Sequence, residues 1–220
     1  MLRLNLAPGE YYHICNRGVG KQAIFHDRKD YFRFLFLILF FQSSSKVYHL
    51  GRVVKEFMVS LGQHPMLAKL TEDVVKKRTV EVVAFCIMPN HFHLILKEVE
   101  EGGISSYMQR VLNAYGKYYN TKYQKSGHVF QGSYRAVHIH DDRYMQHLSA
   151  YIHRNPRELR NWVNKEDEYS WSSYQDFTLS NRWGKLLVPD VVLGEFKDQK
   201  HYLKFVQTSP AKLLKEELEY

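Results

Sequence analysis

The stretch VEVVAFCIMPNHFHLILKEVE, residues 80–100, predicts the central part of the fold. Two apolar runs of strand length flank Pro89-Asn90, a pair typical of a tight turn between antiparallel strands. Because successive side chains of a strand point to opposite faces of the sheet, His91 and His93 share one face and Phe92 takes the other. Two histidines so placed suit a metal site. Surface or packing histidines show the same spacing, however, and VHIH at residues 137–140 repeats it.

Strand and helix patterns continue on both sides of this hairpin. In chain order they predict a strand at residues 11–16, a helix after the N-cap Asp27, a helical insertion at residues 42–79, the hairpin, a long helix capped by Ser105 or Ser106, a fourth strand within residues 127–140, and a last helix from Asp141-Asp142 to Asn155-Pro156.

This order of elements predicts an α+β fold, namely a ferredoxin-like (RRM-like) βαββαβ antiparallel sheet with helices on one face. The insertion at residues 42–79 and the additional last helix extend that arrangement. We expect residues 1–165 to form this domain. Residues 166–220 are expected to be a C-terminal extension, whose role the sequence does not indicate.

The composition favours a folded protein without a membrane partner. Hydrophobic residues make up 45% of the 220 positions, which is enough for a substantial core. The longest apolar run, residues 32–41, has only about half of the roughly 20 residues that a membrane-spanning helix needs, so it predicts a buried helix. With no signal-peptide pattern and with Cys15 and Cys86 in separate strand-like runs, we expect a reduced cytoplasmic protein.

Basic residues are concentrated in one segment of this chain, whose formal charge is +8. Residues 105–165 contain ten lysines and arginines against three acids, together with eight tyrosines. Cations interleaved with aromatic rings suit a single-stranded nucleic acid, because phosphates pair with the former and unstacked bases with the latter. A solvated helix surface with core tyrosines explains the same composition equally well.

The last predicted helix aligns three polar residues. His147, Tyr151 and Asn155 are spaced four apart and therefore lie along one helix face. A tyrosine next to an amide oxygen, facing a strand with two histidines, suits phosphoryl transfer. A tyrosine buried in the core would give the same spacing.

Four segments in this order resemble the REP-associated tyrosine transposases, the HUH single-tyrosine class related to the small single-strand insertion-sequence transposases. They are YYHICNRGVGKQAIF (residues 11–25), AFCIMPNHFHLILK (84–97), GHVFQGSYRA (127–136) and YIHRNP (151–156). The resemblance implies that His91, His93 and Asn155 are metal ligands and that Tyr151 is the nucleophile. It also implies a divalent cation, Mg²⁺ or Mn²⁺; two imidazoles and one amide suit Mn²⁺ better than Mg²⁺.

The implied activity is cleavage and rejoining of single-stranded, hairpin-bearing DNA through a 5′-phosphotyrosine, by a monomer or a homodimer. Our candidates for DNA contacts are Arg17, Lys21, Gln131, Arg135, Arg154 and Arg157. Two alternatives stay open: a domesticated protein that binds single-stranded DNA or RNA hairpins without cutting them, and a metal-dependent nuclease on the same scaffold in which the histidines activate water.

Overall fold

The structure is a computed structural model, and it describes residues 6–61 and 64–209. Its strands are β1 (Tyr11–Arg17), β2 (Val80–Ile87), β3 (His91–Glu98) and β4 (Arg135–Ile139). Its α-helices are α1 (Arg28–Phe40), α2 (Leu50–Ser60), α3 (Pro65–Lys76), α4 (Gly103–Tyr123), α5 (Asp142–Arg154), α6 (Tyr174–Thr178), α7 (Asp190–Leu193) and α8 (Gln199–Thr208). Short 3₁₀ helices lie at Val19–Lys21, Asn155–Glu158, Arg160–Trp162, Glu166–Glu168 and Gly184–Leu186.

The four strands form one antiparallel sheet in the order β2-β3-β1-β4. The predicted α+β class is therefore confirmed, with β1 and β3 at the centre of the sheet. The register places His93 opposite Cys15 on β1 and opposite Cys86 on β2. It also pairs His91 with Arg17, at the end of β1.

Helices α1 and α4 cover one face of the sheet. The apolar run at residues 32–41 falls mostly within α1 and is buried, as predicted. Phe92 belongs to this core and packs against Phe34, with 4.8 Å between the ring centroids. Asp27 caps α1 as predicted, and the Asp30 side chain completes a capping box.

Helix α5 covers the opposite face, together with α6, α7 and α8 from the C-terminal part of the chain. A buried polar network joins these helices: His153 on α5 lies 2.7 Å from the Tyr202 hydroxyl through Nδ1 and 2.8 Å from the Ser173 hydroxyl through Nε2. Both faces of the sheet are consequently covered. The described residues beyond 165 pack against the side of α5 that faces away from the sheet.

The segment 42–79 contains α2 and α3, as the predicted helical insertion requires. Phe57 of α2 is fully buried and packs its ring edge-on against Phe32 of α1. The insertion is thereby anchored on the helical side of the sheet. None of the helices within residues 6–61 and 64–209 combines the length and the apolar character needed to cross a membrane.

The start of α4 differs from the prediction, which gave Ser105 or Ser106 as its cap. The helix begins at Gly103, and its N-cap Gly102 has no side chain to accept a hydrogen bond. The carboxylate of Glu98, at the end of β3, accepts hydrogen bonds from the backbone N–H groups of Gly103 at 3.0 Å and Ile104 at 2.6 Å. A carboxylate from the preceding strand thus replaces the expected serine cap. Its negative charge also interacts favourably with the positive end of the helix dipole.

This cap predicts a stability loss for Glu98→Ala. Glu98 is fully buried, and the Gly103 N–H also donates to the Glu100 carbonyl at 2.9 Å, so the substitution leaves the buried Ile104 N–H without its acceptor. It should lower the free energy of unfolding by about 1–3 kcal/mol. Urea denaturation measures the change. Glu100→Ala, two residues further on and exposed, serves as the control and should unfold like the wild type. Equal effects of the two substitutions would contradict this account of the helix start.

Candidate active site

The amide groups of two asparagines fix the surroundings of His91, the first residue of β3. Asn90 donates from Nδ2 to the Lys21 carbonyl at 3.0 Å, so its Oδ1 faces His91 Nδ1 at 2.7 Å. This contact is the shorter of the two that His91 makes with amide oxygens, which favours the ring proton on Nδ1. Asn155, just after α5, donates from Nδ2 to the Tyr151 carbonyl at 3.0 Å. Its Oδ1 therefore faces His91 Nε2, at 3.2 Å.

In this geometry the lone pairs of His91 Nε2 and Asn155 Oδ1 point toward each other. With the His91 proton on Nδ1, the Nε2 atom carries a lone pair, and the Asn155 Oδ1 atom opposite it is also an acceptor. Burial is the main cause that lowers the pKa of His91, which disfavours a second proton on the ring. Two acceptors 3.2 Å apart with no proton between them fit the coordination of a shared cation.

His93 and Tyr151 complete the group that the sequence analysis predicted. The Tyr151 ring stands edge-on to the His93 ring, with 5.5 Å between centroids and 84° between the planes. The His91 and His93 rings lie 5.1 Å apart. The structure thus brings His91, His93, Tyr151 and Asn155 together, where β3 meets the end of α5.

A residue that sequence reasoning did not single out, His13 on β1, contacts His93. His13 Nε2 lies 2.9 Å from His93 Nδ1, and both rings are buried. Burial is the main cause that holds the pKa of His93 well below its ordinary value, and the electrostatic influence of the neighbouring His91 and His13 lowers it further. His93 is consequently neutral near pH 7, and its Nε2 is the nitrogen left for coordination.

His13, Cys15 and His93 form a second group of possible metal ligands. One donor atom of each lies within 4.8 Å of the other two, so the group fits a metal site. The alternation of YYHICN places His13 and Cys15 on one face of β1. The sequence does not show, however, that β1 pairs with β3 in the register that brings this face to His93.

Four of the six predicted DNA-contact residues lie at or close to the His91 end of β3. Arg17 is the backbone partner of His91, and its Nε donates to Gln131 Oε1 at 2.7 Å. The Lys21 carbonyl holds Asn90, as described above. Arg135, at the start of β4, pairs with Cys15 in the sheet and lines a groove of about 1030 Å³ beside α4.

The other two arginines face the C-terminal helices. Arg154 donates to the Ser209 carbonyl, and Arg157 forms an ion pair with Glu166. Both line a cavity of about 300 Å³ that also includes Tyr174. The structure therefore does not bring these two side chains to His91.

The remaining histidines of interest also lie apart from the group. His147, predicted to align with Tyr151, contacts the Ser209 hydroxyl at 3.1 Å and packs against Phe205 of α8. In the VHIH segment, His138 pairs with Glu10 and His140 with Asp141. Neither histidine of this segment is therefore part of the group around His91.

Fold and site together define an α+β protein in which a strand with two histidines faces a tyrosine on a helix and an amide at the end of that helix. A family-wide sequence model described as "Transposase IS200 like" matches residues 45–155, which is half of the chain and includes His91, His93, Tyr151 and Asn155. The chain belongs to this family of IS200-like transposases, and the resemblance inferred from its motifs is confirmed.

The chain was also compared with solved structures and with curated proteins. The chain is similar to a solved structure described as "REP associates tyrosine transposase bound to a REP hairpin", at 16% identity over 80% of this chain and 82% of that chain, with a TM-score of 0.46. A search of curated proteins finds no match.

Because two buried histidines have lowered pKa values, we expect the free energy of unfolding to fall in acid. Burial lowers the pKa of His153 to about 3 and, with a contribution from Arg135, that of His13 to about 3, from the ordinary 6.5. Below pH 6.5 the unfolded chain binds protons that the folded chain does not, so the free energy of unfolding falls as the pH decreases. Each such histidine contributes up to about 1.4 kcal/mol per pH unit.

Urea denaturation at about pH 7.5 and about pH 5 measures this dependence. His153→Gln should show a smaller loss of stability between the two pH values than the wild type, whatever its stability at the higher pH. An identical loss in both proteins would contradict the assignment of a neutral buried His153.

Proposed function

We propose that this protein is a metal-dependent tyrosine transposase that cleaves and rejoins single-stranded, hairpin-bearing DNA, with Tyr151 as the nucleophile. One observation carries the proposal. The Nε2 of His91, on β3, lies 3.2 Å from the Oδ1 of Asn155, which is four residues after Tyr151. Both atoms are acceptors when the His91 proton is on Nδ1. A site arranged for a cation therefore adjoins a tyrosine.

His91 Nε2, Asn155 Oδ1 and His93 Nε2 would hold the cation, either Mg²⁺ or Mn²⁺. When bound, the cation polarises the scissile phosphate and offsets the negative charge that develops in the transition state. The chain prepares the ligands: burial keeps both imidazoles neutral, and hydrogen bonds to Asn90 and His13 occupy the Nδ1 atoms. The choice between the two ions does not affect the roles of these residues.

Tyr151 supplies the attacking oxygen. The phenol oxygen bonds to the phosphorus while the bond from phosphorus to the 3′ oxygen breaks, and the phenolic proton is balanced by a proton on the released 3′-hydroxyl. The products are a 5′-phosphotyrosine and a free 3′ end. Because the phosphotyrosine retains the bond energy of the phosphodiester, the reverse attack rejoins strands without a nucleoside triphosphate.

The DNA strand would reach this site past Arg17 and Gln131. Their side chains are joined to each other at the His91 end of β3, where the guanidinium can neutralise a phosphate near the cut. Lys21 and Arg135 extend this basic border. Arg154 and Arg157 would contact DNA only after releasing Ser209 and Glu166.

Tyr151→Phe should abolish the covalent protein–DNA adduct and retain binding of the same DNA. The experiment incubates the protein with a labelled single-stranded hairpin and Mn²⁺ and follows the adduct on a denaturing gel. Tyr144→Phe, on the same helix, is the matched control and should form the adduct normally. His91→Ala should lose both the adduct and any cleavage.

Other outcomes of this experiment separate the alternatives. Cleavage that persists in Tyr151→Phe but not in His91→Ala would indicate a nuclease that activates water. DNA binding without an adduct in the wild type would indicate a hairpin-binding protein that no longer cuts. Either result would contradict the proposed reaction.

The location of the cation gives a second test. Asn155→Ala removes a proposed ligand and should weaken Mn²⁺ binding by at least about tenfold, as measured by calorimetry or by the electron paramagnetic resonance of free Mn²⁺. Cys15→Ser, in the other group of possible ligands, should leave the affinity within about twofold of the wild type. The reverse pattern would place the cation at His13, Cys15 and His93 instead.

A further inference from the structure

The contact between His13 and His93 has a consequence for the cation site. We propose that His13 is a positioning residue that accepts a hydrogen bond from His93 Nδ1 and thereby holds His93 in the tautomer that can coordinate a cation through Nε2. This inference rests on the proposed function, because it assigns His93 to the cation.

The geometry of the pair permits one strong hydrogen bond. His13 Nε2 and His93 Nδ1 are 2.9 Å apart, and the two ring planes differ by only 11°. His13 is 0% exposed and His93 is 4% exposed, so water does not compete for either nitrogen. In the sheet Cys15 is the direct partner of His93, and His13 reaches it diagonally from two residues away.

Two neutral imidazoles can share this bond in two directions. If His13 Nε2 donates, the His93 proton lies on Nε2, and that nitrogen has no lone pair for a metal. If His93 Nδ1 donates, the His93 Nε2 lone pair is available. Because the two buried rings share this one hydrogen bond, its direction decides whether His93 can act as a ligand.

The hydrogen bond from His93 Nδ1 to His13 Nε2, which leaves His93 free to coordinate, costs stability elsewhere. It places the proton of His13 on Nδ1, and this buried atom has no hydrogen-bond partner within the part of the chain that the structure describes. Orphaned buried N–H groups are rare because each costs stability. An apolar side chain at position 13 would avoid that cost, so the stability of the fold alone does not account for this histidine.

Cys15 offers a comparison within the same strand. It is buried, lies next to His93 in the sheet and belongs to the same cluster of donors. If the cluster held a cation by itself, Cys15 and His13 would matter equally. If His13 acts on His93 through the hydrogen bond, only His13 affects binding at the site of His91 and Asn155.

The experiment measures Mn²⁺ affinity and unfolding of the full chain carrying His13→Leu, His13→Gln or Cys15→Ser. We expect His13→Leu to weaken Mn²⁺ binding by about 10–100-fold, the range seen when such outer partners of metal ligands are removed. Its free energy of unfolding without metal should equal or exceed that of the wild type. His13→Gln, whose amide oxygen can accept the same hydrogen bond, should restore much of the affinity.

Nitrogen-15 NMR of the histidine rings gives a readout that does not depend on a variant. In the Mg²⁺-loaded wild type, the His93 proton should lie on Nδ1. A proton on His93 Nε2 in that sample would overturn the proposal even if His13→Leu does not fold. An unchanged Mn²⁺ affinity in a folded His13→Leu would overturn it as well.

The same titrations separate this proposal from the proposed function. If Asn155→Ala weakens Mn²⁺ binding and His13→Leu does not, only the role of His13 has failed. If Asn155→Ala has no effect, the cation site itself has failed. Equal losses in Cys15→Ser and His13→Leu would show that these residues are ligands, which also overturns the positioning role.

Discussion

The alternation of side chains along β3 is the constraint on which the rest of the structure depends. Phe92 enters the core under α1 and α4, and this apolar contact fixes which face of the strand His91 and His93 must take. A slip of one residue would exchange these faces. The hydrophobic packing on one side of the sheet therefore determines the position of the polar group on the other side.

Helix α5 must present Tyr151 and Asn155 to that face. Contacts on the other side of the helix fix its rotation about its own axis. His153, on the opposite side of the helix, is held by the hydroxyls of Ser173 and Tyr202 in a buried network. The described C-terminal helices thus support the helix that carries Tyr151. Glu166, in the same C-terminal part of the chain, forms an ion pair with Arg157 and keeps that side chain away from His91.

Much of this arrangement could be predicted because it depends on local rules. The hairpin follows from two apolar runs around Pro89-Asn90, and the line from Tyr151 to Asn155 follows from helix periodicity. The contacts that were missed join residues distant in sequence. His13 meets His93 through strand register, Glu98 replaces a serine cap through its position at the end of β3, and Arg154 and Arg157 find partners beyond residue 165.

The central claim is that a DNA strand becomes attached to the tyrosine beside the two histidines. Mass spectrometry of the proteolysed protein, after incubation with a single-stranded hairpin and Mn²⁺, identifies the residue that carries the nucleotide. The account predicts a nucleotide adduct on the peptide that contains Tyr151, with fragment ions assigning it to that side chain. An adduct on another residue, or cleaved DNA with no modified peptide, would contradict it.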